Sequence, residues 1–439
     1  MSSDAMSSPK HSTGLGASPA AALSPVRWWV LALVALAIAG HYYEYDAVAP
    51  LVEKLRAERD FSHTDIGTLN AVLSLPNIVF ALVAGWAIDR FTATRMAVWS
   101  AAAGFLGAVL TAGGPDFVVV AIGRMIFGLA EEGLFMALLA ILAQWFPKAG
   151  IGIAVTLFLS LARVGSYSAD TSPQWAAGLY ARGVEYPLWL GAGITGFSLL
   201  AILVYWWVDR QAGNHKVLAA APTHERIVWA DLFSFNRSYW YILGLHVLYA
   251  SVFFPFRSTF AIGYFENVKG LSNEAASINN SWVFFTAVFA TPFFGFLADR
   301  YGRRASMMLF GTLLMTATLL VLTLTDWPLW LSTAMMGVSF AVVPGVIWPS
   351  TTMLVEQRRL GTALGLITVI QNVALTAANL GAGKLLDVYG AGKENPGGYL
   401  PMMVFFFIIS LAALWSVVAL WRREQGPDAL GLESIRTKT

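Results

Sequence analysis

The chain has no cysteine. Disulfides, iron–sulfur clusters and thiolate zinc sites are therefore excluded, and no part of its chemistry depends on redox compartment. Charge is also scarce: Asp, Glu, Lys and Arg supply 12% of 439 residues, and the net charge of +2 gives no field to draw nucleic acid. Neither a Ser–His–Asp order nor a His-Glu-x-x-His spacing occurs, so an enzyme, a cofactor and a bound metal are not expected. A receptor or scaffold would need soluble domains, yet the longest polar internal stretch, Asp209 to Asn236, is shorter than any domain. What fills the chain instead is apolar: 57% of residues are hydrophobic and the mean hydropathy is +0.62, which marks an integral protein of the lipid bilayer.

At ~20 residues per crossing, the apolar runs predict twelve transmembrane helices at 27–50, 64–88, 95–113, 117–145, 151–174, 186–208, 239–263, 274–298, 304–325, 328–353, 359–388 and 399–421. The fold expected is an all-α membrane protein of two six-helix bundles. Its parts are a disordered cytoplasmic tail (1–24), an N-terminal bundle (25–208), a cytoplasmic linker (209–236), a C-terminal bundle (237–423) and a second cytoplasmic tail (424–439). The first tail is rich in Ser, Ala and Pro and lacks the basic-then-apolar order of a signal peptide. Many Trp and Tyr residues, such as Trp28, Trp29, Trp206 and Trp207, sit at span ends, where an interfacial belt belongs. With both termini inside, 18 of the 28 Lys and Arg residues fall on the cytoplasmic side, 6 outside and 4 within spans, as the positive-inside rule requires.

The segment Gly85-Trp86-Ala87-Ile88-Asp89-Arg90, running on to Arg95, recurs 210 residues later as Gly295-Phe296-Leu297-Ala298-Asp299-Arg300, running on to Arg303 and Arg304. Repeated membrane halves of this kind usually build a transporter. The two loops, together with Arg124-x-x-x-Gly128 in the fourth span, resemble the signatures of the major facilitator superfamily over residues 27 to 422. The resemblance implies a cytoplasmic gate latched by Asp89, Arg90, Asp299 and Arg300. The first copy departs in carrying Thr92 where Gly302 stands in the second. The fifth span lacks the Gly-Pro-x-x-Gly-Gly element of the family's drug/proton antiporters, which argues against multidrug export.

Ionisable side chains at the centre of a span cost ~2.5–3.5 kcal/mol each on insertion scales, and the chain keeps Arg124, Glu131, Glu132, Arg163 and Arg257 there. Spans four and five form a hairpin about Lys148. Glu132 lies 16 residues before that turn and Arg163 15 after it, so the two reach nearly equal depth, on the order of 20 Å from the turn. In span five Thr156, Ser160, Arg163, Tyr167 and Asp170 share one helical face, a polar stripe that reads as a wet path. Asn70, Ser74 and Asn77 in span two repeat the pattern, as do Asn372, Thr376 and Asn379 in span eleven. His41, Tyr45, His246 and Tyr249 add polar aromatic tips. Glu131 and Glu132 point about 100° apart. Glu131 shares a face with Arg124, so these two are expected to pair or to handle a proton, while Glu132 faces the substrate. The bland alternative is an interhelical Glu132–Arg163 ion pair that never meets a ligand.

A narrower resemblance runs through Tyr45-Asp46, Leu75-Pro76-Asn77, Phe127 to Glu132, Leu161 to Gly165, Phe254-Pro255-Phe256, Ala275 to Asn279, Trp348-Pro349 and Leu360 to Gly365 followed by Gln371-Asn372. These stretches are similar to the lysosomal dipeptide transporter branch of the superfamily and its bacterial relatives. The resemblance implies that Glu132 holds a peptide amine and Arg163 its carboxylate; the polar faces and aromatic tips read from the spans add Tyr167, Tyr45, His41, Asn77, His246, Tyr249 and Asn372 as candidate substrate contacts. That branch carries Gly where Glu131 stands here, which leaves proton coupling open. The expectation is a monomer that carries dipeptides by alternating access. Its short external loops and lack of cysteine suit a bacterial inner membrane. The alternative is a proton-coupled symporter of a small organic anion.

Overall fold

A computed structural model describes residues 25–147, 150–212, 235–356 and 359–434, apart from the side chains of 79–90. The expected N-terminal tail, most of the linker, the turn at Lys148 and the side chains of Asp89 and Arg90 lie outside the described residues. The described chain is helical almost throughout. Eleven of its helices are long and apolar enough to cross a membrane. The remaining crossing is the 28-residue helix His63–Arg90.

The crossing helices are α1 (Val26–Asp46), α2 (His63–Arg90), α3 (Ala93–Gly113), α4 (Phe117–Trp145), α5 (Ile151–Asp170) and α6 (Glu185–Gln211) in the first half. The second half has α7 (Arg237–Pro255), α8 (Asn273–Tyr301), α9 (Arg304–Leu324), α10 (Leu329–Leu354), α11 (Leu360–Val388) and α12 (Leu400–Glu424). Side-chain oxygens set several starts by accepting an amide hydrogen of the first turn: Asp116 from Val119 N at 3.0 Å, Asn236 from Tyr239 N at 2.8 Å and Ser272 from Ala275 N at 3.3 Å. Within the first half α1 packs on α5 and α6, α3 on α4 and α6, and α2 on α4. In the second half α8 and α9 pack on α10, α7 on α11 and α12, and α9 on α12. Two seams join the halves, α2 with α11 and α5 with α8.

Among the described residues, contacts between halves gather at one end, here called the far end, opposite the end that carries the α2–α3 and α8–α9 loops. The Asp387 carboxylate of α11 accepts His63 N at 2.9 Å and Thr64 N at 2.7 Å, so a residue of one half caps the first turn of a helix in the other. Asn273 donates to Pro50 O at 2.9 Å and Thr376 to Ala71 O at 3.4 Å. The α2–α11 crossing is so close that a Cβ on Gly67 would stand 2.5 Å from Asn379 O. The molecule is therefore closed at its far end.

Three features depart from the predicted spans. After Asp46 the chain turns into a short helix, Val52–Arg59, where the sequence predicts only a loop. Span seven breaks at Pro255: a π-turn, Phe256–Phe260, follows the residue that cannot donate an amide hydrogen, and Ala261–Asn267 resumes the α-helix. The expected C-terminal tail is instead a docked strap through Ser434. The Glu424 carboxylate accepts the amides of Leu430, Gly431 and Leu432, and Leu432 sits fully buried in the core of the second half. Glu433 accepts Ser306 N at 2.6 Å, and Arg304 N donates to Leu432 O at 2.8 Å, so the strap caps α9.

The two copies of the repeated loop end differently. In the second, Gly302 adopts φ +67° and Asp299 pairs with Arg304 at 3.5 Å. In the first, the Thr92 hydroxyl accepts Arg95 N at 3.3 Å and so caps α3 in the way Gly302 cannot.

Candidate functional site

The close approach of α1 and α5 creates the site. A Cβ on Gly165 would collide with the carbonyl oxygen of Ala39, so only glycine lets the two helices meet and set Tyr42 beside Arg163. The Arg163 guanidinium lies 5.5 Å from the Tyr42 ring, 5.6 Å from that of Phe284 on α8 and 4.6 Å from that of Phe340 on α10. Phe340 in turn stacks on Phe253 at 4.0 Å with an interplanar angle of 3°. Arg163 belongs to the first half; two of its three rings belong to the second. No carboxylate is within ion-pair distance of it among the described residues, so the ion pair that would have sealed it to Glu132 is not formed. Such a cation, held by rings and without a counter-ion, is a standing demand for an anion.

Acidic groups lie close to the same Tyr42 ring. Glu131, Glu132 and Arg163 all act electrostatically on Tyr42, and Glu131 feels Glu132, Arg163 and Asp46. Neither glutamate is engaged in an ion pair among the described residues. The expected pairing of Glu131 with Arg124 is not made. Arg124, fully buried, donates to the Glu44 and Tyr45 carbonyls and to Asn70 Oδ1, each at 3.0 Å. Its job is to pin α1 and α2 to α4 at the last turn of α1, where the intrahelical ladder runs out and Glu44 O has only a 3.4 Å bond from Ala47 N besides.

The aromatic candidates divide. Tyr45 is half-buried 6.3 Å from Tyr42 and stays with the site. His41 stacks on Phe127 at 5.6 Å, donates from Nδ1 to Ala37 O at 3.2 Å and is wholly buried inside the first half, so it packs there as an aromatic. Tyr249 is spent on Ser339 at 2.9 Å. His246 meets Gln371 at 2.5 Å and the Trp348 ring at 5.1 Å, a cluster of α7, α10 and α11. Tyr167 packs on Phe285 and is 37% exposed, outside the ring cradle of Arg163. Asn77 and Asn372 bond their own helices through Leu73 O and Thr368 O, and Asn77 keeps a buried Oδ1 with no partner.

Beyond Arg163 toward the far end stands a cluster whose members are visible in the sequence only one residue at a time. The π-turn after Pro255 presents Arg257, which pairs with Asp46 of α1 at 2.5 Å and with Asp170 of α5. Asn280 of α8 donates to Asp170 at 3.1 Å. All four groups are buried, with Arg257 and Asp170 at 0% exposure. Two carboxylates of the first half thus grip one guanidinium of the second.

A model of the Major Facilitator Superfamily matches residues 34–280 and again 245–437, two overlapping stretches that together span both halves. The chain belongs to the major facilitator superfamily. As a member it is a multi-pass membrane transporter and not an enzyme. It is similar to the lysosomal dipeptide transporter MFSD1 of Homo sapiens, 29% identical over 416 residues that cover 91% of this chain and 87% of that protein. The Danio rerio counterpart is 28% identical over 396 residues, 87% and 84% of the two chains. Among solved structures, a bacterial homologue of the human lysosomal transporter Spinster, in an inward-facing and unoccupied conformation, shares the superfamily fold. Its TM-score is 0.71 at 14% identity, over 91% of this chain and 98% of that one.

Proposed function

We propose that the protein carries dipeptides by alternating access, gripping both peptide termini between its halves. The observation that carries this reading is the unpaired Arg163 guanidinium, cradled by rings at the boundary of the halves, with two unpaired glutamates bearing on the Tyr42 ring beside it. A guanidinium offers a bidentate fork to the peptide carboxylate, and Glu132 takes the ammonium. A dipeptide spans ~7 Å by chain reach, so end-gripping selects length and tolerates varied side chains. The relatives named for dipeptide transport support the same substrate class. Asp299, Arg300, Asp89 and Arg90 serve the gate at the end bearing the repeated loops, which faces the cytoplasm because Lys and Arg concentrate there.

The test is thermal-shift screening of dipeptides, tripeptides, terminally blocked dipeptides and simple carboxylates against wild type and Arg163→Ala, followed by uptake into liposomes. Ligand that binds only the folded state stabilises it by mass action. Dipeptides alone should shift the wild type, and none should shift the variant; equal response to blocked termini ends the proposal. The second reading, proton-coupled transport of a small organic anion, is favoured by the adjacent acids, since an amine needs only one of Glu131 and Glu132. Uptake of a substrate lacking any amine, driven by an inward proton gradient, would select it.

A further inference from the structure

At the far end one histidine is sealed between the halves with half of its hydrogen-bonding capacity unused. His63, the first residue of α2, is 2% exposed. Its Nε2 lies 3.0 Å from Ala391 O in the turn after α11, and a carbonyl only accepts, so Nε2 carries the proton and Nδ1 keeps its lone pair. That Nδ1 is buried with no hydrogen-bond partner among the described residues. The surroundings are tight: the Tyr399 ring meets the imidazole edge-on at 6.1 Å, and a Cβ on Gly383 of α11 would stand 2.5 Å from His63 O. We propose that His63 is a pH-sensitive catch of the α2–α11 seam, so that acid in the far-side medium opens the far end with no substrate bound. This regulation is independent of which substrate the carrier takes.

A proton on Nδ1 makes a cation with two donors, and the closed seam offers one acceptor. The second N–H would be buried and unpaired on a buried charge, and a donor left in that state costs ~1–3 kcal/mol or more. Three charged side chains bear on the ring: Glu53 and Arg56 of the short helix Val52–Arg59, and Asp387 of α11. The Tyr399 phenol completes its surroundings, with Glu266 acting on that phenol in turn. The two carboxylates favour the imidazolium and Arg56 opposes it. Arg56 acts the most strongly of the three, and the loss of water on burial is larger than any of them. Both carboxylates are also engaged elsewhere, Glu53 with Arg56 at 3.0 Å and Asp387 with the His63 and Thr64 amides. Opening returns the ring to water, where an imidazole titrates near ~6.5. The open form therefore binds the proton better than the closed one, and closure, at full strength above that pH, weakens as the pH falls through it. One proton taken up only by the open form lowers the closed-to-open ratio by roughly tenfold between about pH 7.5 and about pH 5.5.

Asn273 donates to Pro50 O and Asn280 to Asp170, both in the first half, and Ser277 lies between them on the same face of α8 at 0% exposure. In a chain without cysteine, Ser277→Cys supplies a single, nearly isosteric thiol whose maleimide labelling reports far-end opening. Each rate is divided by that of the same protein denatured in detergent at the same pH, which removes the titration of the thiol itself. In purified Ser277→Cys protein the normalised rate should rise roughly tenfold from about pH 7.5 to about pH 5.5. Added His63→Gln keeps a donor for Ala391 O and cannot titrate, so its rate should change by less than about twofold. Added Arg56→Gln, on a partly exposed short helix, removes the charge that most opposes the imidazolium and should cut the rise to about threefold. A parent that changes by less than about twofold, or a His63→Gln protein that keeps the full rise, overturns the proposal. Should His63→Gln fail to fold, an Arg56→Gln protein with the full rise of the parent overturns it equally.

Discussion

Arg257→Met is the most informative perturbation of the far-end latch, made in a Ser277→Cys background whose single, fully buried thiol on α8 reports far-end opening by its rate of maleimide labelling. In the closed form Asp46 and Asp170 are 2% and 0% exposed, and once the guanidinium is gone the polar contact that remains to them is the Asn280 amide on Asp170. Removing one partner of a buried ion pair costs ~3–5 kcal/mol because the other charge stays buried and uncompensated. When the far end opens, both carboxylates regain water, so nearly the whole cost falls on the closed form. At 1.4 kcal/mol per tenfold, the closed-to-open ratio drops by roughly a hundred- to several-thousandfold. The introduced thiol should then label at a rate limited by the reagent, with or without dialanine, and uptake into liposomes should stall because the carrier cannot close behind its substrate. Adding Asp46→Asn and Asp170→Asn removes the stranded charges and should return most of the slow labelling. A folded Arg257→Met protein whose thiol labels within twofold of the Ser277→Cys parent would refute the assignment of this cluster as the latch.

Further outcomes follow from other contacts. Asp387→Ala removes the cross-half cap of α2; at an exposed position this costs ~1 kcal/mol and should speed maleimide labelling of the Ser277→Cys protein by roughly fivefold. Arg163→Lys keeps the charge but loses the fork and the broad guanidinium contact over the Phe340 ring, so dipeptide affinity measured by thermal shift should fall by about tenfold or more. Leu432→Ala empties a fully buried position of the strap and should cost ~2 kcal/mol or more, read as a lower melting temperature with dialanine affinity unchanged. Gly165→Val forces α1 from α5 and should abolish binding while an Ala substitution at exposed Gly152, where a Cβ meets nothing within 4 Å, should be silent.

The crossings are legible because hydropathy is a local property, and the doubled loop announces two halves before any contact is known. The layer shared by Glu132 and Arg163 can be counted from a turn, since rise per residue is fixed. Pairing cannot. Arg257 meets Asp46 across 211 residues and Asp170 across 87, and helical periodicity reports only which residues share a face of one helix, not which faces dock. Sequence matches Arg124 to Glu131 because acids are visible as letters, whereas its true acceptors include two main-chain carbonyls. His41 looks like a polar tip for the site, yet a histidine stacked on Phe127 packs as an aromatic. Tyr42, one position along, is the residue the sequence reading misses, although it stands three residues before Tyr45 on the same helical face.

The strap beyond Glu424 has a practical corollary for anyone handling the protein. Cutting the chain at the last turn of α12, as trimming of a seemingly loose end invites, would pull Leu432 from its pocket and leave the Arg304 and Ser306 amides of α9 without Leu432 O and the Glu433 carboxylate. Shortened versions should keep every residue to Ser434, and reporters fused closer than that would pry at the same joint that carries the second repeated loop.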